Sequence, residues 1–356
     1  MRLVVAMSGG VDSSVAAALL VEQGHEVIGV SMQLYPAGPG GGAAREYGTC
    51  CTLDDLHDAR RVAAAIGIPH YILNLESRFD DSVVSNFVRE YVSGRTPIPC
   101  AHCNSELKFA TLLDRALAMD AAALATGHYA RISEEGDGQF HLRRGRDPGK
   151  DQSYFLFSLT QAQMAQARFP IGELDKPTVR AHARRLGLKV ADKPDSQEIC
   201  FVPDGDYAGF VEREAPGLTR AGAIVAEDGR VVGTHEGVHR FTIGQRKGLR
   251  LSASEPLYVL GIDAATARVT VGSRDALGRT RLTASRVNWT AGPGPWSWQR
   301  VTAQIRHRHP PAPAHVRAQD DARAELEFDV PQAAVTPGQA VVFYEADEVL
   351  GGGWID

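Results

Sequence analysis

The chain has 356 residues and a mass of 38.4 kDa, with 44% hydrophobic residues, 23% charged residues and a formal net charge of −5. This length exceeds one ordinary core and predicts two or three domains, and the composition excludes a disordered, collagenous or disulfide-scaffold chain. Five cysteines, together with the lack of a signal peptide or a run of roughly 20 apolar residues, predict a cytoplasmic protein.

In chain order, residues 2–7 and 26–32 read as buried strands, short and rich in valine and isoleucine. Between them 12–23 reads as a helix with Val15, Leu19 and Leu20 on one face. A Gly/Pro-rich loop covers 36–42, and Thr52 with Asp55 forms a plausible capping pair for a helix ending at Gly67. Strand 68–73, helix 81–92 and strand 121–125 follow. Strands alternating with helices at this spacing predict an α/β fold, a parallel sheet with helices on both faces. After about residue 215 the helical period fades. Short β-branched runs at 223–232, 257–262, 268–272, 299–306, 323–330 and 340–344 predict small β-barrel or sandwich units. The expected domains are 1–215, 216–280 and 281–356.

The sharpest motif is Ser8-Gly9-Gly10-Val11-Asp12-Ser13-Ser14, between the first strand and the first helix. Its glycines let backbone approach a ligand, and the helix N-terminus offers unsatisfied N–H groups to an anion. Hydroxyls from Ser8, Ser13 and Ser14 add donors, and Asp12 suits a magnesium ion. No G-x-x-x-x-G-K-[ST] pattern is present. The motif resembles the pyrophosphate loop (PP-loop) of enzymes that cleave ATP between its α and β phosphates. A plain Gly-Ser helix cap is the alternative.

Cys100-Ala-His-Cys103-Asn104 precedes a helix with Leu107, Ala110, Leu113 and Leu117 on one face, and Cys200 lies in Asp195–Phe201. A cysteine at a helix N-terminus has its thiolate stabilised, so Cys100 and Cys103 are candidate nucleophiles or metal ligands. Buried small hydrophobes, half of a structural zinc site and a redox pair remain as alternatives. The adjacent Cys50 and Cys51 are poorly spaced to complete a zinc site.

Taken together, these segments resemble the bacterial tRNA-specific 2-thiouridylase family. The likeness runs over nearly the whole chain. It includes the PP-loop, Pro99–Asn104, Ala125–Tyr129, Lys150–Phe155, Asp195–Phe201, Thr242–Leu249, Pro331–Gln339 and Leu350–Gly353. The resemblance implies ATP-dependent thiolation of a wobble uridine, with ATP phosphates bound by Ala6, Met7, Ser8, Gly9, Gly10, Val11, Asp12 and Ser13, and the adenosine near Met32 and Gly127. It implies Cys103 as nucleophile, Cys200 as persulfide carrier, the two joining in a disulfide bond, and Ile98, Pro99 and Cys100 beside the target base. His128, Lys150, Asp151, Gln152, Arg306, His307 and Gln339 would contact tRNA. The implied partners are glutamate, glutamine and lysine tRNAs and a persulfide donor protein. Many members of the family carry Asp where this chain has Cys100. That departure opens a second route, a [4Fe–4S] cluster on Cys100, Cys103 and Cys200.

The residues by themselves support the same chemistry. A carbonyl oxygen leaves poorly until it is adenylated, after which a sulfur nucleophile can replace it. Residues 286–318 hold five arginines, three histidines, three tryptophans and no carboxylate, and 239–254 hold Arg240, Arg246, Lys247 and Arg250. Both suit phosphate contact, with a solvated strand surface as the alternative. Two rival readings are a PP-loop ligase or amidotransferase, which needs no cysteine set, and a non-catalytic RNA-binding module.

Overall fold

The computed structural model describes residues 1–34, 53–136, 138–195, 199–320 and 322–356. The 36–42 loop, Cys50, Cys51 and the Thr52 capping position lie outside the described residues, as do positions 196–198 of the Cys200 motif. The chain forms two compact units. One holds Met1–Val83, Cys100–Gly205 and Asp347–Val349; the other holds Val84–Pro99, Asp206–Ala346 and Leu350–Asp356. Asp206–Ala346 stays together in the second unit, Val84–Pro99 joins it, and Asp347–Val349 belongs to the first. In the second unit Phe87 packs edge-on against Phe210, with ring centroids 6.0 Å apart, and Tyr91 stacks on Tyr207 at 5.1 Å.

The first unit is built on a parallel sheet. Its strands are β1 (Arg2–Ala6), β2 (Glu26–Gln33), β3 (His70–Asn74), β4 (Ala123–Thr126) and β7 (Ala167–Arg168), in the order β3-β2-β1-β4-β7. Leu3, Val4 and Val5 are all buried, as a strand covered on both faces requires. Helix α1 (Val11–Glu22) buries Val15, Ala16 and Ala17 completely and stops before Gly24, whose φ of +80° ends it. Helix α2 (Leu53–Ile66) buries Leu56, Ala59, Val62 and Ala63 in the same core. A hairpin of β5 (Ala130–Glu134) and β6 (Phe140–Arg144) also belongs here. Its Arg131 and Arg143 bind Asp347, from near the far end of the chain.

The helical stretch 99–117 differs from its expected face. A wide, π-type turn runs through Cys103–Leu112, which adds a residue per turn and rotates the buried side to Leu107, Phe109, Leu112, Leu113 and Ala116. A similar widening at Asp80–Val84 interrupts the helical stretch 76–92.

In the second unit, β8 (Gly222–Ala226), β9 (Val231–His235), β10 (Tyr258–Asp263) and β11 (Arg268–Gly272) form one small sheet, ordered β10-β11-β8-β9. The expected strand 223–232 is thus a hairpin turning at 227–230. The antiparallel barrel runs β12 (Gly278–Trp289), β15 (Arg323–Ala333), β14 (Ala312–Asp320), β13 (Gln299–Gln304), β16 (Ala340–Glu345) and β17 (Glu348–Ile355), and pairing of β12 with β17 closes it. Closure leaves no open edge in the barrel. Alternate residues Ala312, Ala314, Val316 and Ala324, Leu326, Phe328 fill its core.

Candidate active site

Strand β1 has β2 on one side and β4 on the other, so the chain's direction of travel across the sheet reverses beside β1. Ligands of open α/β sheets bind at the carboxyl ends of strands around such a switch point. Ala6, Met32 and Gly127 lie at or next to the carboxyl ends of β1, β2 and β4, so the residues assigned to nucleotide binding gather there with the loop 7–10 and the start of α1.

The loop is shaped by its own sequence. Met7 is buried and continues the β1 ladder, donating to the Val30 carbonyl at 2.8 Å. Gly9 sits at φ +74°, and a Cβ there would lie 2.2 Å from the Asp55 carbonyl oxygen. Gly127 is equally constrained, since its Cβ would lie 2.5 Å from the Ser13 nitrogen. Only glycine permits β4 to run this close to the opening of α1. Ser13 Oγ accepts from the Ser8 N–H at 3.2 Å, and Ser14 Oγ donates to the Gly10 carbonyl at 2.8 Å. Gly10, the N-cap, supplies no side-chain cap, which suits the opening of the helix to an anion.

Two lysines grip this loop, and sequence reasoning missed both. Lys176 is 8% exposed and bonds both carboxylate oxygens of Asp12 at 2.8 Å. It also pairs with Asp195 at 2.6 Å. Tyr129 donates its hydroxyl to Asp12 Oδ1 at 2.8 Å. Burial, with the Asp12 charge behind it, pushes the Tyr129 phenol far above its ordinary range, so it stays a donor. Lys193 bonds the Gly9 carbonyl at 3.1 Å, Asp55 at 2.7 Å and Asp58 at 2.7 Å. Burial opposes its charge, but the two carboxylates outweigh that and raise its pKa. Neither lysine falls in a recognisable motif; the only trace in sequence is Asp175 as a helix cap before Lys176.

Asp195 accepts from Lys150 at 2.7 Å as well as from Lys176. Burial works against its charge, yet these two ammonium groups hold its carboxyl below the ordinary value. Asp195, which opens the Cys200 motif, is thereby tied to the same lysine that holds Asp12.

For ATP the loop fits: it offers an uncapped helix start, hydroxyls and backbone brought close by glycine. For Mg2+ the fit is tighter, because three of the roughly four lone-pair positions of Asp12 are already used. Iron fits less well. Among the described residues no group of three or more His, Cys, Asp or Glu side chains is placed to hold a metal. Cys100, Cys103 and Cys200 would be the ligands of a [4Fe–4S] centre, three thiolates with one iron left open.

Cys100 is exposed, and Cys103 and Cys200 are half-buried. Asn104, buried beside Cys103, donates to the Phe155 carbonyl at 3.1 Å and so anchors the cysteine segment. Phe201, next to Cys200, packs edge-on against Phe79 at 5.6 Å. Ile98 and Pro99 are buried at the end of the second unit's segment 84–99, and the unit boundary passes between Pro99 and Cys100.

Several residues with an implied tRNA role are engaged inside the fold. His128 is 7% exposed, with Nδ1 2.6 Å from the Thr126 hydroxyl and Nε2 3.4 Å from the Lys108 ammonium. Asp151 accepts from the backbone of Gly145 and Ser153 and pairs with Arg144. Gln152 exchanges hydrogen bonds with the Tyr129 backbone. Arg306 reaches the Ala333 carbonyl at 3.4 Å, while Gln304 braces the loop by donating to the carbonyls of Arg306 and His307. Gln339 donates to the Thr96 carbonyl at 2.9 Å.

The acid-free basic stretch of 286–318 is not acid-free in space. Barrel pairing sets β15 beside β14, so Arg317 meets Glu325 at 2.7 Å and His315 meets Asp329 at 3.5 Å, while Arg300 reaches Asp329 at 3.1 Å. Trp289 stacks on Phe343 against the core, and Trp298 is covered by Arg317. In the other stretch Arg240 is paired with Glu212. Arg246 and Arg250 line a depression of about 430 Å³ with Glu255.

A PP-loop at the switch point of a parallel sheet, followed by a small β-sheet unit and a closed barrel, defines a PP-loop nucleotide-binding protein with β-barrel modules. Family models match three successive stretches: a tRNA methyl transferase HUP domain at 1–204, a tRNA methyl transferase PRC-barrel domain at 209–273 and an aminomethyltransferase beta-barrel domain at 279–355. The tRNA-specific 2-thiouridylase MnmA of Geotalea uraniireducens (strain Rf4) is 53% identical, covering 100% of this chain and 95% of its own. The MnmA of Geobacter metallireducens is 54% identical, covering 100% of this chain and 96% of its own, and that of Solibacter usitatus is 52% identical over 99% of each. The chain belongs to the tRNA-specific 2-thiouridylase family.

Proposed function

We propose that the protein is an ATP-dependent tRNA-uridine 2-sulfurtransferase acting on the wobble uridine. The observation that carries the reading is the PP-loop itself, with Asp12 fixed by Lys176 and Tyr129 at the sheet's switch point, in a chain whose relatives are named for tRNA 2-thiolation. ATP phosphates are held by Ser8–Ser13, and Mg2+ by the remaining coordination capacity of Asp12. Bound ATP supplies the adenylyl group that turns the uracil C2 oxygen into part of a leaving AMP. Pyrophosphate departs against the N–H groups at the start of α1.

The terminal sulfur of a Cys200 persulfide then attacks C2, and AMP leaves with the former oxygen. The Cys103 thiolate attacks Cys200 Sγ, the bond between that atom and the transferred sulfur breaks, and a Cys103–Cys200 disulfide remains with the thiocarbonyl product. A thiol reductant restores the pair, and a persulfide donor protein reloads Cys200. Ile98, Pro99 and Cys100 border the base. Glutamate, glutamine and lysine tRNAs are the proposed substrates, and the cytoplasm the proposed compartment. Mass analysis of nucleosides from tRNA incubated with the protein, ATP, Mg2+, a persulfide-carrying sulfur donor and a thiol reductant tests the reading. The expected result is 2-thiouridine at the wobble position with AMP released. AMP release without thiolated nucleoside, or neither product, would overturn it.

A further inference from the structure

We propose that Lys193 is a positioning residue for ATP: it fixes the Gly9–Gly10 peptide so that the Gly10 N–H faces the phosphates, and it does so without touching them. The assignment rests on the ATP-binding role proposed above for Ser8–Ser13.

The Gly9–Gly10 peptide has little of its own to hold it. Gly9 sits at φ +74°, Gly10 brings no side-chain cap, and a glycine pair is free to turn its peptide either way. In a trans peptide the C=O and the N–H point in opposite directions, so whatever grips the Gly9 carbonyl also aims the Gly10 N–H. Turned the other way, the peptide would put a carbonyl oxygen where a phosphate oxygen must sit. Lys193 Nζ donates to the Gly9 carbonyl at 3.1 Å. Among the described residues nothing accepts from the Gly10 N–H.

The lysine is fixed at both ends. An ammonium has three protons, and the other two go to Asp55 Oδ1 and Asp58 Oδ2, each at 2.7 Å. These carboxylates share one face of α2, whose backbone at Asp55 is also the wall that Gly9 packs against. Arg180 donates to the carbonyls of Ala191 and Lys193 at 2.7 Å and 3.1 Å, and the Lys193 N–H donates to the Val190 carbonyl at 3.1 Å. Val190 and Ala191 are buried in the core that also holds Val11 and Ala59. With every proton engaged, Lys193 has none to offer a phosphate, and two carboxylates cancel its attraction for one. What remains for it to supply is geometry.

The sign of one effect separates positioning from charge. Removing two carboxylates beside a phosphate site tightens ATP binding if only charge matters. It loosens ATP binding if those carboxylates hold Lys193 in place. Three variants are compared with the wild-type full chain: Lys193→Met, the pair Asp55→Asn with Asp58→Asn, and all three changes together. The triple variant removes the cluster as a set and keeps the test open where Lys193→Met alone does not fold. Calorimetric titration with ATP and with adenosine, which has no phosphate, is joined by hydrogen exchange of peptides covering 7–12. Each variant should raise the ATP Kd roughly tenfold, as loss of one hydrogen bond to a charged group does, and leave the adenosine Kd within about twofold. Exchange across 7–12 should be faster in each. Tighter ATP binding in the Asp55→Asn, Asp58→Asn pair overturns the proposal in favour of direct contact between a released Lys193 and phosphate. Equal losses for ATP and adenosine overturn it in favour of general damage to the fold. A wild-type protein that binds no ATP sinks the nucleotide reading instead; unchanged exchange across 7–12 then overturns the anchoring, and faster exchange upholds it.

Discussion

Asp12 and Lys176 show what a single buried ammonium does in this protein. Lys176, itself buried, lies between two partly exposed carboxylates, Asp12 and Asp195, and pairs with both. Asp12→Ala should therefore abolish thiolation while the protein still folds, because Lys176 keeps Asp195 as partner. Thiolation at the wild-type rate by this variant at saturating ATP would count against the PP-loop assignment. Lys176→Met removes the shared cation and leaves the two carboxylates facing each other. It should lower stability by about 2 kcal/mol, below the full buried-pair penalty because Asp12 is partly exposed. Denaturant unfolding checks the stability, and AMP release checks the activity. His128 sets a pH dependence. Burial, and secondarily the Lys108 charge, hold its imidazole well below the ordinary value. The unfolded chain binds that proton from about pH 6.5 downward while the folded chain does not, so this site removes stability as the pH falls below about 6.5. Between pH 7 and 5 the unfolding free energy should fall less steeply in His128→Gln than in wild type, and equal slopes would contradict a buried neutral His128.

At the scale of elements, the nucleotide loop depends on how closely β4 approaches α1. A methyl group on Gly127 would strike the backbone between Asp12 and Ser13, at 2.7 Å and 2.5 Å. Gly127→Ala should cost about 1–3 kcal/mol by overpacking, and it should weaken ATP binding because the start of α1 must move. Unfolding and calorimetric titration with ATP measure the two effects, and unchanged ATP affinity would show that this contact does not shape the loop. Gly9, with its Cβ aimed at the Asp55 carbonyl, is under the same restriction from α2. The alternation of strands and helices in the first 130 residues was readable because buried parallel strands are short apolar runs between turn signals. The face of the helix after Cys103 was not. A wide turn shifts every later residue, and nothing in an apolar period announces it.

Over the whole molecule, charge is arranged by pairing in space. The acidic row Glu325, Glu327 and Asp329 on β15 is met by Arg317, His315 and Arg300 on one side and by Arg281 on the other. Cross-strand ion pairs of this exposed kind contribute little stability each, but they neutralise the strand face for phosphate. The loop carrying Arg306 and Arg308 is the other basic part of that stretch, lying between β13 and β14. Changing both to Ala should weaken tRNA binding and reduce its salt slope by up to about two counterions, with ATP affinity unchanged. An unchanged slope would remove this loop from the RNA-contact surface.

The sequence by itself determined the PP-loop, its place between strand and helix, the α/β and β-rich halves, and the family, because these depend on local patterns and contiguous motifs. Tertiary structure alone decided which charges are spent on one another. It brought Lys176 to Asp12, Lys193 to Gly9 and Gln339 to Thr96 across separations of 164, 184 and 243 residues. No local period encodes such a meeting: a lysine or glutamine reads as a solvated side chain until the fold places it beside a buried carboxylate or carbonyl that water can no longer reach.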